Sequence, residues 1–132
     1  MNKDGQKVVF IDRDGVINKF PGDGKYVSDK QELMVFGFVP DALLKLKKAG
    51  FAVYIISNQA CVSKGILEEE KLKDMTQYML SLIEKDEKLV TGVYYCIRQD
   101  QDNSPFRKPN PGMIEEVLKK HIQLICSTAL VV

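Results

Sequence analysis

Apolar runs of strand length alternate with stretches of helical periodicity along almost the whole chain, and no other feature limits its fold as tightly. KVVFID at 7–12 is rich in β-branched residues and meets its first acid only at the end, the pattern of a strand covered on both faces. AVYIIS at 52–57 reads as a second buried strand, GVYYCIR at 92–98 as a third strand, and STALVV at 127–132 as a fourth. Between the first two, VPDALLKLKKAGF at 39–51 opens on proline and aspartate, lines a face with Leu43, Leu44 and Leu46, and stops at Gly50. From about Glu68 to Glu84, Leu72, Met75, Met79, Leu82 and Ile83 recur at helical spacing, with the methionines as core fillers. NPGMIEEVLKKH at 110–121 begins another helix with proline near its first turn. Strict alternation of this kind predicts an α/β domain with a mostly parallel sheet. In such sheets ligands sit beyond the carboxyl ends of the strands, beside a reversal of strand order.

A chain of 132 residues buries one core, so a single domain over 1–132 is expected. Its 19 basic and 18 acidic residues leave a formal net charge of +1, a poor match to general nucleic-acid binding, which needs a concentrated basic surface. No run approaches the ~20 apolar residues of a membrane span, and no basic amphipathic segment points to a membrane surface. Cys61, Cys96 and Cys126 are odd in number and lack CxxC spacing, which favours a reducing cytoplasm over a disulfide framework. The first residues, MNKDGQK, hold no apolar stretch of signal-peptide type.

The chemistry gathers where the strands end. Asp12 and Asp14 follow the first strand, and residues two apart leaving a strand project to one side, so their carboxylates are expected to share a pocket. Like charges that close require a cation between them or a proton on one. Hard oxygen ligands suit Mg²⁺, which keeps some waters and is completed by substrate phosphate. One carboxylate would attack phosphorus and its neighbour would pass a proton to the leaving oxygen. A plain surface turn accounts for Asp-Gly equally well when the motif is taken alone. An EF-hand reading fails for want of a third ligand before the glycine and a closing glutamate. GDGKY at 22–26 lacks the GxxxxGK[ST] frame of a P-loop.

Ser57, Asn58 and Gln59 end the second strand with a hydroxyl and two amides able to donate to phosphate oxygens. Arg107 and Lys108 precede a proline-limited helix start, where cations and the unpaired N–H groups of a first turn make an anion site. A polar strand cap and a solvated basic loop explain these stretches one at a time. Their order explains them together: acids after the first strand, a hydroxyl and amide after the second, a lysine before the last helix.

FIDRDGVIN, ISNQACVSKG and RKPNPGM resemble the first three motifs of the haloacid dehalogenase superfamily of phosphohydrolases. The likeness is to the capless branch that holds heptose bisphosphate phosphatase and histidinol-phosphate phosphatase, and it runs from about Val8 to Met113. It implies a Rossmann-like three-layer α/β sandwich without a cap domain. It also implies Asp12 as nucleophile and Asp14 as acid/base, with both at a Mg²⁺ site, the metal taking a backbone carbonyl from Asp14. Ser57 would hold the transferring phosphoryl group, Lys108 would offset its charge, and Asn58 and Arg107 would contact phosphate or substrate. The implied substrate is a small phosphomonoester such as a sugar phosphate or histidinol phosphate, and the implied protein is a monomer or weak dimer.

Two departures from that branch shape the expectations. Its zinc loop of Cys and His residues is reduced here to Cys96, with Arg98 where a histidine stands in the branch, so no zinc is expected. The fourth motif, a Gly-Asp with a further acidic residue after the fourth strand, is absent because the sequence stops at the end of STALVV. A domain incomplete at its C-terminus is therefore expected, either as a fragment or as a natural truncation. An inactive binding or scaffold remnant, and a phosphatase of nucleic-acid 3′-phosphates, therefore stand beside the phosphomonoesterase. His121, at a helix end, and Cys61, with no histidine partner, are read as bystanders.

Overall fold

The computed structural model describes residues 7–23, 25–59, 61–96, 112–120 and 129–131. Four strands form one parallel sheet: β1 (Lys7–Ile11), β2 (Phe51–Asn58), β3 (Gly92–Cys96) and β4 (Ala129–Val131), in the order β3-β2-β1-β4. Three helices connect them: α1 (Val39–Lys48), α2 (Glu69–Ile83) and α3 (Gly112–Lys120).

The strand order follows from the chain's path. Two crossovers step from β1 to β2 to β3 in one direction, and the third returns past β1 to β4. Right-handed crossovers then force α1 and α2 onto one face and α3 onto the other. The packing agrees. Val9, Ile11, Val53 and Ile55 face α1 and α2, meeting Val39, Leu43, Leu72, Met75, Met79 and Ile83. The alternate residues Val8, Phe10, Ala52, Tyr54 and Ile56 face α3 through Met113 and Val117. Each fully buried side chain of this size stabilises the fold by roughly 1.5–3 kcal/mol before entropy is counted. A three-layer α/β sandwich is therefore the architecture: the alternation of runs predicts its parallel sheet, and the family resemblance implies its layers.

Local signals set the helix ends. Pro40 stands in the first turn of α1 with Asp41, Lys45, Lys47 and Lys48 crowd its last turn, and Gly50 takes a φ of 92° just beyond. Between β1 and β2 the described chain holds only the turn after β1, one 3-10 turn (Lys30–Glu32) and α1, so no cap domain stands there. Among the described residues no helix is long and apolar enough to cross a membrane.

Candidate active site

The reversal of strand order lies between β1 and β4, and β1 delivers its last residue, Ile11, straight into the acidic turn at that point. The turn is drawn tight around one carbonyl. Arg13 O accepts from the N–H groups of Val16, Ile17 and Asn18 at 3.1, 2.8 and 3.2 Å, and Gly15 N donates back to Asn18 O at 2.7 Å. Gly15 adopts φ 89°, a left-handed conformation that a side chain would strain. Ile17, 2% exposed, pins the turn to the core, and Phe36 N donates to Ile17 O at 3.0 Å. The turn thus has little freedom to move its acids.

Asp14 lies inside this turn, bridged to Asn18, so the turn and not the pleat of β1 places it. Its Oδ1 accepts from Arg13 Nε at 2.9 Å and Asn18 Nδ2 at 3.0 Å, and Arg13 Nη2 lies 2.9 Å from the same oxygen. Its Oδ2 accepts from Gln59 Nε2 at 3.1 Å. Asp12 Oδ1 accepts from Arg13 N at 2.7 Å. The repulsion between the two acids therefore has a resident counter-charge in Arg13, where the sequence pointed to a bound cation or a proton on one acid.

Arg13 is 1% exposed, so its charge must be met inside the protein. Burial works against the guanidinium, but Tyr95 and Asp14 facing it outweigh burial and raise its pKa above the ordinary arginine value. Its guanidinium carbon sits 5.6 Å from the centre of the Tyr95 ring, and the Tyr95 hydroxyl meets Thr76 Oγ1 of α2 at 2.8 Å. Arg13 Nη2 also donates to Gln59 Oε1 at 3.2 Å. The site is in this way braced against α2 and β3.

β2 supplies the second half. Ser57 is 2% exposed and its Oγ accepts from Gln59 Nε2 at 3.0 Å. Gln59 is anchored by its own N–H, which donates to Cys96 O at 2.7 Å. Asn58 ends β2 half-buried, opposite Cys96 of β3, and the amide that reaches Asp14 is Gln59's. Asp14 and Ser57 are thus brought together through one side chain, whereas Arg107 and Lys108 lie outside the described residues. So do Arg98, Phe106, His121 and Cys126, and the side chains of β4. Cys61 is fully buried, and burial pushes its thiol up, consistent with an inert role.

Sequence reasoning left two site residues without a part. Arg13 stands between the two acids with no role in the sequence, and only its burial reveals it. Asn18 is 0% exposed and bonds Asp14, and its Oδ1 accepts no hydrogen bond from the protein. For Mg²⁺ the donors fit chemically: the Asp12 carboxylate and the Asp14 backbone carbonyl are hard oxygen ligands, while both Asp14 carboxylate oxygens are taken up by Arg13, Asn18 and Gln59. Among the described residues no group of three His, Cys, Asp or Glu side chains forms a metal site, so a cation here would rely on water and phosphate oxygens as well.

The chain is similar to known proteins. Residues 7–130 match the family described as polynucleotide kinase 3 phosphatase. A probable D-glycero-D-manno-heptose-1,7-bisphosphate 7-phosphatase from Thermoplasma volcanium is 30% identical over 115 residues, which cover 87% of this chain and 77% of that protein. The D-glycero-beta-D-manno-heptose-1,7-bisphosphate 7-phosphatase of Photorhabdus laumondii is 35% identical over 118 residues, covering 83% of this chain and 61% of that protein. The crystal structure of D,D-heptose 1,7-bisphosphate phosphatase from B. bronchiseptica, complexed with magnesium and phosphate, shares the fold with a TM-score of 0.80 at 24% identity. That match covers 88% of this chain and 64% of the other, so the chain spans about three-fifths of the length of most such relatives. The turn at Asp12 and Asp14, the Ser57 strand end and these likenesses together place the chain in the haloacid dehalogenase superfamily of phosphatases, in the branch of the heptose bisphosphate phosphatases.

Proposed function

We propose that the chain carries the catalytic core of a Mg²⁺-dependent phosphatase acting on a small phosphomonoester, with a sugar phosphate of the heptose bisphosphate type as substrate. The observation that carries this reading is the linkage of Asp14 to Ser57 through Gln59 at the carboxyl ends of β1 and β2, beside the reversal of strand order. The named activity of the relatives supports the substrate class. Cysteines without CxxC spacing fit a cytoplasmic setting.

In the first step a carboxylate oxygen of Asp12 forms a bond to phosphorus while the ester P–O bond breaks, and the departing alkoxide takes a proton from Asp14. In the second, water gives a proton back to Asp14 and attacks phosphorus. The aspartyl P–O bond then breaks, releasing inorganic phosphate and restoring both acids. Ser57 donates to a phosphoryl oxygen, and Asn58, Arg107 and Lys108 contact the phosphate or the rest of the substrate. Asp12 and Asp14, the latter through its backbone carbonyl, would hold Mg²⁺. Bound there, the ion would offset the charge on the phosphoryl oxygens and lower the repulsion that meets the attacking carboxylate.

Asp12→Asn removes the nucleophile. Turnover of a sugar phosphate with Mg²⁺ should disappear, and unchanged turnover overturns the proposal. Metal-dependent binding of beryllofluoride by the wild-type chain is the companion result, and its absence favours a binding remnant. The family description gives one specific reason to test a nucleic-acid 3′-phosphate. Faster hydrolysis of a 3′-phosphorylated oligonucleotide than of heptose bisphosphate would transfer the proposal to that substrate.

A further inference from the structure

Gln59 is 1% exposed, yet all of its side-chain polar atoms are engaged by the site. Its Oε1 accepts from Arg13 Nη2 at 3.2 Å, while its Nε2 lies 3.1 Å from Asp14 Oδ2 and 3.0 Å from Ser57 Oγ. An amide nitrogen has two protons and no acceptor capacity. The guanidinium faces one end of the amide and a carboxylate the other, so reversing the amide would set oxygen against carboxylate and nitrogen against guanidinium. Arg13 therefore dictates which way Gln59 points, and both Nε2 protons are committed.

We infer that Gln59 is the positioning residue of this site, a two-pronged donor that sets the proton geometry of Asp14 and Ser57 together. Two consequences follow from counting donors and acceptors. Ser57 Oγ is occupied as an acceptor, so the single proton of its hydroxyl is directed away from Gln59 and toward a bound phosphoryl oxygen. Asp14 Oδ1 faces Arg13 Nε, Arg13 Nη2 and Asn18 Nδ2, whereas Oδ2 meets Gln59, which makes Oδ2 the oxygen that carries the transferred proton. Gln59 reaches neither the phosphorus nor the leaving oxygen and acts through these two residues. The inference rests on the phosphatase reading for its catalytic meaning, while the hydrogen-bond arrangement can be tested without turnover.

The first test is exchange of the Gln59 side-chain amide protons with water, read by ¹⁵N NMR on the full chain. Both should exchange at least about tenfold more slowly than those of the exposed Gln31 and Gln77. Ser57→Ala should speed exchange of one proton and leave the other protected. Gln59 protons that exchange like those of Gln77, or that ignore Ser57→Ala, overturn the inference. The second test compares Gln59→Met with Gln59→Glu. Both remove the amide donor; Gln59→Met also removes the acceptor for Arg13, and Gln59→Glu keeps it but adds an acid beside Asp14, so it is the substrate dependence of the loss that reports the donor. With a primary-alkyl phosphate kcat should fall by about 10²-fold, and with 4-nitrophenyl phosphate by roughly tenfold less, because nitrophenolate departs without a proton. Equal losses on the two substrates overturn the positioning role. A wild-type chain without turnover is a failure of the phosphatase reading, and amide exchange then decides the inference by itself.

Discussion

Arg13 and Asp14 are chain neighbours locked into a single ion pair, with two guanidinium nitrogens 2.9 Å from one carboxylate oxygen. The arginine is 1% exposed and the aspartate 22%, so Arg13 must have its charge met inside the protein while Asp14 still touches water. The asymmetry decides what each substitution does.

Arg13→Met should destabilise the chain by about 2–3 kcal/mol, less than the ~3–5 kcal/mol of a fully buried pair because water reaches Asp14. Gln59 Oε1 also loses its guanidinium donor and keeps only the Cys61 thiol at 3.9 Å. Arg13→Lys keeps the charge but not the fork, and should fall between the two. Urea denaturation of the three proteins measures the order.

Glu84 caps the entry to β3. Its Oε2 accepts from the backbone N–H groups of Leu89 and Val90 at 2.7 and 2.8 Å. Both residues are buried, so their amides have little access to water as a substitute. Glu84→Ala should cost about 2–3 kcal/mol, and Glu84→Gln, which retains an oxygen acceptor, about 1 kcal/mol. Thermal unfolding of both variants gives the comparison.

Gly92 opens β3 against the Tyr54 ring. A Cβ there would stand 3.1 Å from Tyr54 Cδ1 and Cε1, and Tyr54 is 2% exposed with little room to retreat. Gly92→Ala should cost roughly 1–3 kcal/mol through overpacking. Combining it with Tyr54→Leu should relieve part of that cost, seen as non-additive denaturation midpoints.

The loop before α1 should loosen in acid. Ser28 donates to Glu32 Oε1 through both its N–H and its hydroxyl at 2.9 Å, and these bonds hold the Glu32 carboxyl below 4.5. A folded value below the unfolded one gives a contribution that is complete above 4.5 and vanishes as pH falls through the lowered value. Exchange of the Ser28 amide should therefore accelerate in that acid window beyond the intrinsic trend, and Glu32→Gln should abolish the response.

How much of this was legible beforehand differs between fold and site. The runs at 7–12, 52–57 and 92–98 lie within a residue or two of β1, β2 and β3. β1 and β2 are covered on both faces and so must be apolar, while β3, at the sheet's edge and partly buried, is marked by its β-branched and aromatic residues. Val39–Lys48 and Glu69–Ile83 follow from proline, glycine and apolar spacing, since those signals act within one turn of helix. Asp12, Asp14 and Ser57 were legible as strand-end polar residues. Arg13 and Asn18 were not, because a charged or amide residue in a turn looks solvated until burial is known.

The sequence by itself determined the alternation of strands and helices, and with it the layers and the strand ends where chemistry gathers. Those features are periodic or local, written in residues a few positions apart. Only tertiary structure decided that Arg13 turns inward beneath Tyr95 and that Gln59 reaches Asp14 across 45 residues of chain. A buried charge finds its partners among whatever the folded sheet brings beside it, and no local pattern encodes that neighbourhood.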